Sequence, residues 1–177
     1  MKKIIVTKVF VLISLVTFAQ GEIVSKYFDK YADNEDFVKV SVSSKMFSLF
    51  TELEAGSEEE KQFLEAVSKL KGLKIIVADS IGNSASLYAQ ALKDVEKAGF
   101  EELMTVMDAK ENFRFSIKED DGVIEELIMV AGGKKSFAIL SIYGVIDLKN
   151  ISKISRSMKV GGLDKLQQLD KKSGDAN

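Results

Sequence analysis

The segment spanning residues 101–147 most constrains what this chain can fold into. It holds four apolar runs separated by polar or glycine-rich breaks, at residues 103–107, 113–117, 123–130 and 137–145. Short apolar runs bounded by turn-forming residues are typical of consecutive antiparallel strands. The segment therefore predicts a four-stranded antiparallel meander against which the rest of the chain packs.

Two of these runs are apolar on both faces of a strand. Residues 113–118 alternate between apolar and polar side chains, which is typical of a strand with one face in solvent. Residues 127–130 and 138–142 do not alternate in this way, so we expect central strands covered twice or a face that meets a partner. The residues proposed for such an interaction face are Ile124, Ile128, Val130, Ala138, Leu140 and Ile142.

The residues before the meander predict four helices and two further strands. Apolar side chains recur at helical spacing in residues 22–31, 46–53, 63–70 and 87–95, and Ser57 with Glu60 forms a capping box. Residues 37–42 alternate as a strand does, and residues 73–78 are nearly continuous in apolar side chains. The order strand, helix, strand suggests a βαβ-like unit that leads into the meander.

The predicted fold class is α+β. We expect a single domain over residues 20–169, built on a mixed, mainly antiparallel sheet with helices mostly on one face. A helix capped by Asp147 should follow the meander, and residues 170–177 form a polar tail that we expect to be disordered. Residues 37–46 also align without a gap to residues 137–146, which we interpret as a chance recurrence of a short apolar pattern.

The N-terminus has the pattern of a secretory signal peptide. Three lysines fall within the first eight residues, residues 9–16 are apolar, and small residues precede an expected cleavage site between Ala19 and Gln20. The apolar run is too short for a transmembrane helix, which needs about 20 apolar residues. We therefore expect an exported protein, periplasmic or secreted, whose mature chain has no transmembrane segment.

Composition excludes several classes of chemistry. The chain has no cysteine and no histidine, so it has no disulfide, no lipid-bearing cysteine, no ordinary zinc site and no Ser-His-Asp or Cys-His catalytic set. Removing residues 1–19 leaves 22 basic and 27 acidic residues. A mildly acidic chain without a basic cluster argues against a nucleic-acid partner. We expect no cofactor, no bound metal and no catalytic residues.

The remaining candidate sites each have a plainer interpretation. Ser68 and Lys71 match the S-x-x-K of serine acylases, but the companion motifs are missing. Residues 29–36 are acidic, yet they lack the spacing of a calcium-binding loop. Four aromatic residues are candidates for the lining of a ligand cavity, although core packing is the favoured interpretation. These pocket aromatics are Tyr27, Phe28, Tyr31 and Tyr88.

Three segments carry a resemblance to a known family. They are residues 28–31 (FDKY) leading to 37–43 (FVKVSVS) with Met46 and Phe47, residues 70–76 (LKGLKII), and residues 143–148 (YGVIDL) with Ile151. Together they resemble the exported Bacteroidetes proteins of domain-of-unknown-function family 4252 (DUF4252). The resemblance implies a small α+β envelope domain without assigned activity, encoded beside extracytoplasmic sigma-factor systems, and it supplies no catalytic residue. Some relatives are lipoproteins, but a lipid anchor does not carry over to a chain without cysteine.

The leading functional hypothesis is a non-enzymatic binding or interaction protein in the periplasm, linked to envelope-stress or sigma-factor signalling. Its partner would be an unknown protein or a second copy in a homodimer. The alternative is a small-molecule or lipid carrier, or a hydrolase that uses carboxylates alone. An enclosed apolar pocket of about 300 Å³ with convergent polar groups would favour the carrier, and a filled core would favour the interaction protein.

Overall fold

A computed structural model of the chain describes residues 20–51 and 56–147. The expected signal peptide, the helix that follows Asp147 and the C-terminal tail lie outside the described residues. Within them the chain forms four helices and six strands. The helices are α1 (Glu22–Lys30), α2 (Ser44–Phe50), α3 (Glu58–Ser68) and α4 (Ser84–Lys97). The strands are β1 (Phe37–Ser43), β2 (Leu70–Ala78), β3 (Glu101–Met107), β4 (Glu111–Asp120), β5 (Val123–Gly133) and β6 (Phe137–Ile146).

The six strands form one open sheet in the order β1-β2-β6-β5-β4-β3. Every described pairing is antiparallel, and the last four strands follow one another across the sheet. The predicted α+β class and the predicted meander are therefore confirmed. The βαβ-like unit is not formed, because α2 and α3 pack on each other and return the chain to the sheet where β1 ended, with Gly72 opposite Ser43.

Helices pack on both faces of the sheet rather than mostly on one. The first face, here called the α1/α4 face, buries Ile128 and Val130 of β5 beneath α1 and α4. The second, the α2/α3 face, buries Leu127 and Met129 of the same strand in a cluster that includes Phe47 of α2. Both faces need cover because consecutive residues of β5 are apolar and point to opposite sides of the sheet. The expectation of central strands covered twice is confirmed.

Strands β1 and β6 flank β2 in the same register. Phe37 and Phe137 both lie opposite Ala78, and Ser41 and Ser141 both lie opposite Lys74. The sequence likeness between residues 37–46 and 137–146 therefore has a structural counterpart over the strand residues. The two strands differ in their second neighbour, since β6 also pairs with β5 whereas β1 is the last strand at its end of the described sheet.

Candidate functional site

An apolar groove crosses the α2/α3 face near the start of β6. Its volume is about 460 Å³, and it is open to solvent along one side. The apolar lining comes from five strands and consists of Val40, Ile75, Val77, Phe113, Met129, Ala131, Phe137, Ala138 and Leu140. Its polar rim consists of Asp79, Glu111 and Ser136. The rim therefore brings carboxylates and a hydroxyl to the mouth of an otherwise apolar surface.

Two alanines create the groove. Ala131 of β5 and Ala138 of β6 are cross-strand partners, while the next partners on the same face are the larger Met129 and Leu140. A pair of short side chains between larger ones leaves a depression in the layer of side chains on that face of the sheet. Sequence reasoning missed this site because the strand register that pairs the two alanines is not visible in a linear pattern. The available signal was two alanines within otherwise large apolar runs.

A smaller polar pocket lies on the α1/α4 face, beside the first turn of α1. Its volume is about 230 Å³. Charged side chains from α1, α4, β4 and β5 line it, namely Glu22, Lys26, Asp94, Lys97, Lys118, Glu125 and Glu126. Sequence reasoning did not bring these residues together, since they come from four separate elements.

Glu126 is the most deeply buried carboxyl group of this pocket. Its side chain is 4% exposed. One oxygen, Oε2, accepts the backbone amide of Gly21 at 3.1 Å, and the other, Oε1, accepts the hydroxyl of Ser141 at 2.6 Å. Burial raises the pKa of Glu126, and these two hydrogen bonds partly oppose that effect. Both oxygens are thus engaged in tying α1 and β6 to β5.

Two of the four carboxyl groups in this pocket, those of Glu126 and Asp94, are already engaged within the protein. General acid and base roles need an ionised group and a protonated group that both face the substrate. The hydrogen bonds of Glu126 are made within the protein, to the helix cap and the neighbouring strand. In the same pocket Asp94 already accepts hydrogen bonds from Tyr27 at 3.0 Å and Gln90 at 2.9 Å. We interpret the pocket as the anchor of α1.

The four predicted pocket aromatics belong to the core cluster on the α1/α4 face or pack against it. Tyr27 is 4% exposed and its ring lies 6.0 Å from that of Phe137, while Tyr31 stacks on Phe37 at 4.0 Å between centroids. Phe28 and Tyr88 pack against the same core cluster on the α1/α4 face. Neither the groove nor the polar pocket is lined by any of these four rings. Tyr88 instead borders a third, shallow depression beside Gly132.

The six residues of the predicted interaction face are divided between the two faces of the sheet. Ile128 and Val130 lie on the α1/α4 face and are 0% and 1% exposed. The other four belong to the α2/α3 face, and they are Ile124, Ala138, Leu140 and Ile142. The division follows from the register, because Ile128 lies opposite Ser141 and Met129 lies opposite Leu140. Ala138 and Leu140 are the two of the six that line the groove.

Exposed apolar side chains concentrate at the β1 end of the sheet. Among the described residues, seven large apolar side chains are exposed, and four of them lie on β1 and α2. These four are Val38, Val40, Met46 and Leu49, which are 64%, 42%, 47% and 47% exposed. Val40 also lines the groove. The groove and the outer edge of β1 therefore form one continuous apolar surface.

The part of the chain that the structure describes contains no group of three or more acidic side chains placed to hold a metal ion. None of its helices is long and apolar enough to cross a membrane.

Comparison with known proteins gives a family but no relative of known activity. No curated protein and no solved structure matches the chain. The family model described as Domain of unknown function (DUF4252) matches residues 31–154, a range that contains all six strands and the whole groove. This match confirms the family resemblance seen in the sequence, and because it spans more than half of the 177 residues, the chain belongs to the DUF4252 family.

Proposed function

We propose that this chain is a non-enzymatic binding protein that acts outside the cytoplasm and engages a protein partner through the groove and β1. The observation that carries the proposal is the continuity of the apolar groove with the exposed edge strand. An open apolar surface of this kind costs free energy in water and is typical of an interaction site. The export part of the proposal comes from the signal-peptide pattern of residues 1–19.

The open shape of the groove supports a protein partner more than an enclosed ligand. An extended segment can add main-chain hydrogen bonds at the edge of β1 while its side chains enter the groove. A role in envelope-stress or sigma-factor signalling is part of the proposal and comes from the family resemblance alone. The carboxylates of Asp79 and Glu111 at the rim favour a segment with basic or neutral residues over an acidic one.

A photoreactive residue placed at Val77 tests this proposal. Val77 lines the groove and is half-buried, whereas Val123 is 42% exposed and lies in a hairpin at another part of the sheet. Irradiation of intact cells should give a discrete covalent adduct from position 77 and none from position 123. Adding Val40→Glu should abolish that adduct, because the new carboxylate lies at the groove. Equal labelling from both positions, or an adduct indifferent to Val40→Glu, would contradict the proposal.

A carrier of small apolar molecules is the second candidate, because the groove volume exceeds the roughly 300 Å³ of a small ligand site. The rim carboxylates would disfavour a fatty acid, whose own carboxylate would meet Asp79 and Glu111, and would favour a neutral or cationic ligand. Native mass spectrometry of the purified chain separates the candidates. A stoichiometric apolar small molecule that is lost in Ala138→Phe would favour the carrier, and its absence favours the protein partner.

A further inference from the structure

The outer edge of β1 lacks the features that usually protect a sheet edge. Edge strands are commonly guarded by charged side chains, bulges or proline. At the other end of the sheet, β3 begins with Glu101 and Glu102 and is interrupted by a bulge between Glu102 and Met104. Strand β1 pairs with β2 over seven consecutive residues without a bulge, and the chain contains no proline. Among the described residues its edge is therefore regular and has no neighbouring strand.

The one charged side chain of β1, that of Lys39, does not protect the edge of the strand. Lys39 donates from Nζ to the backbone carbonyl of Tyr31 at 2.6 Å and to that of Ala32 at 3.0 Å. These contacts hold the ammonium group against the end of α1. The side chains on the opposite face of the strand, Val38 and Val40, remain exposed.

The likeness of β1 to β6 indicates what kind of side chain would lie opposite Val40 across this edge. Both strands pair antiparallel with β2 in the same register, and β6 accepts β5 on its other side. In β6 that second pairing places Leu140 opposite the apolar Met129. The residue of β1 at the equivalent position is Val40, which lies beside Ile75 of β2 and is 42% exposed. An apolar side chain opposite Val40 would complete the same arrangement.

We propose that a second copy of this chain occupies the edge, with the two β1 strands paired antiparallel about a two-fold axis at Val40. This inference deepens the proposed function, on which it rests, by naming the partner. In this register Val40 lies opposite its own copy and Val38 lies opposite Val42 of the copy, so three valine pairs meet on the groove side. Lys39 lies opposite Ser41, so no like charges face each other. An axis at Lys39 would instead oppose two ammonium groups.

The side chains next to β1 are consistent with a self-complementary contact. Met46 and Leu49 of α2 are each 47% exposed, and α2 packs beside β1 on the α2/α3 face. A two-fold axis through β1 brings these residues of one copy toward the same face of the other. The exposed apolar residues of β1 and α2 would then be covered together, as at the apolar centre of a homodimer interface.

Charge substitutions at Val40 test both the pairing and its symmetry. In the proposed register a residue at position 40 meets only itself. Val40→Glu and Val40→Lys should therefore each raise the dimer dissociation constant by on the order of 100-fold, through like-charge repulsion at close range. An equimolar mixture of the two variants should restore the dimer as a heterodimer, because opposite charges then face each other. Val123→Glu, at a position of the same 42% exposure, should leave the dimer unchanged.

Sedimentation velocity measures these outcomes on the chain as it is purified from the cells that express it. Circular dichroism confirms that each variant is folded. A dimeric wild type, two monomeric variants and a dimeric mixture would establish the pairing. A monomeric wild type at micromolar concentrations, a dimer that survives Val40→Glu, or a mixture that stays monomeric would overturn it. If the position-77 adduct contains a different protein while the chain sediments as a monomer, only the homodimer fails. If that adduct is also absent, the proposed function fails with it.

Discussion

Replacing Glu126 with alanine would remove the acceptor that holds α1 on the sheet. The carboxylate accepts the Gly21 amide at 3.1 Å and the Ser141 hydroxyl at 2.6 Å, and its side chain is 4% exposed. Alanine offers no acceptor, so two donors are left without partners inside the protein. Glu126→Gln keeps the length of the side chain and one acceptor oxygen, and it therefore separates the loss of the charge from the loss of the acceptor.

The size of the loss in stability follows from the two hydrogen-bond donors that lose their acceptor. A buried donor without an acceptor costs about 1–3 kcal/mol. The substitution also removes a carboxyl group whose ionised form is unfavourable in the interior, which offsets part of this cost. We expect Glu126→Ala to lower the free energy of unfolding by about 2–4 kcal/mol near pH 5, and Glu126→Gln to lower it by less than about 1.5 kcal/mol.

The pH dependence has a definite sign. Burial raises the pKa of Glu126, while the hydrogen bonds from Ser141 and Gly21 and the nearby Lys118 and Lys74 act in the opposite direction. The folded pKa therefore lies above the ordinary value of 4.5. Between the two values the folded state binds more protons than the unfolded state, so the stabilising contribution is complete below pH 4.5 and is lost as the pH rises through the folded pKa.

Urea denaturation at a series of pH values, followed by circular dichroism, measures this contribution. The stability of Glu126→Gln relative to the wild type should increase as the pH rises through the folded pKa, because the variant has no carboxyl group to ionise there. Glu119→Gln, at an exposed position on β4, is the control and should follow the wild type. The assignment is refuted if Glu126→Ala is as stable as the wild type, or if the relative stability of Glu126→Gln falls with rising pH.

Three further substitutions test other parts of the fold by the same measurement. Gly144→Ala should lower the free energy of unfolding by more than about 3 kcal/mol, because Gly144 has φ of +134° and an added Cβ would lie 2.5 Å from the carbonyl oxygen of Lys69. Gly82→Ala is the control, since its Cβ would meet nothing within 4 Å, and it should change the free energy of unfolding by less than about 1 kcal/mol. Phe115→Ala, at a fully buried side chain, should cost about 3–5 kcal/mol. Ser57→Ala removes the capping box of α3 and should cost about 0.5–2 kcal/mol; a larger cost here than at Phe115 would contradict both assignments.

The sequence predicted the features that depend on neighbouring residues. Alternation in residues 113–118 and turn residues at 119–122 are local signals, and they correctly placed β4 and the hairpin to β5. Ser57 and Glu60 likewise specified the start of α3, since both hydrogen bonds of a capping box are made within one turn. The doubly apolar β5 and β6 correctly predicted central strands, because only strands covered on both faces can bury such runs.

Features that depend on the pairing of distant residues were not predictable. The proposed interaction face mixed two sides of the sheet because the β5–β6 register, which sets Ile128 opposite Ser141, cannot be read from either strand alone. The antiparallel pairing of β1 with β2 depends on how α2 and α3 pack on each other. Glu126 stood out in an apolar run, but its partner Gly21 lies 105 residues away in the chain. In each case the missing information was a contact between elements.

The two proposals share a residue, so we expect groove binding and dimerisation to be thermodynamically linked. Val40 lines the groove and lies at the centre of the proposed two-fold pairing. A molecule that enters the groove therefore contacts a side chain whose environment changes when a second copy pairs with β1. By linkage, any ligand that shifts the dimer dissociation constant by some factor must bind the dimer and the monomer with affinities that differ correspondingly. A groove ligand that binds both forms equally would show that groove and edge are separate sites.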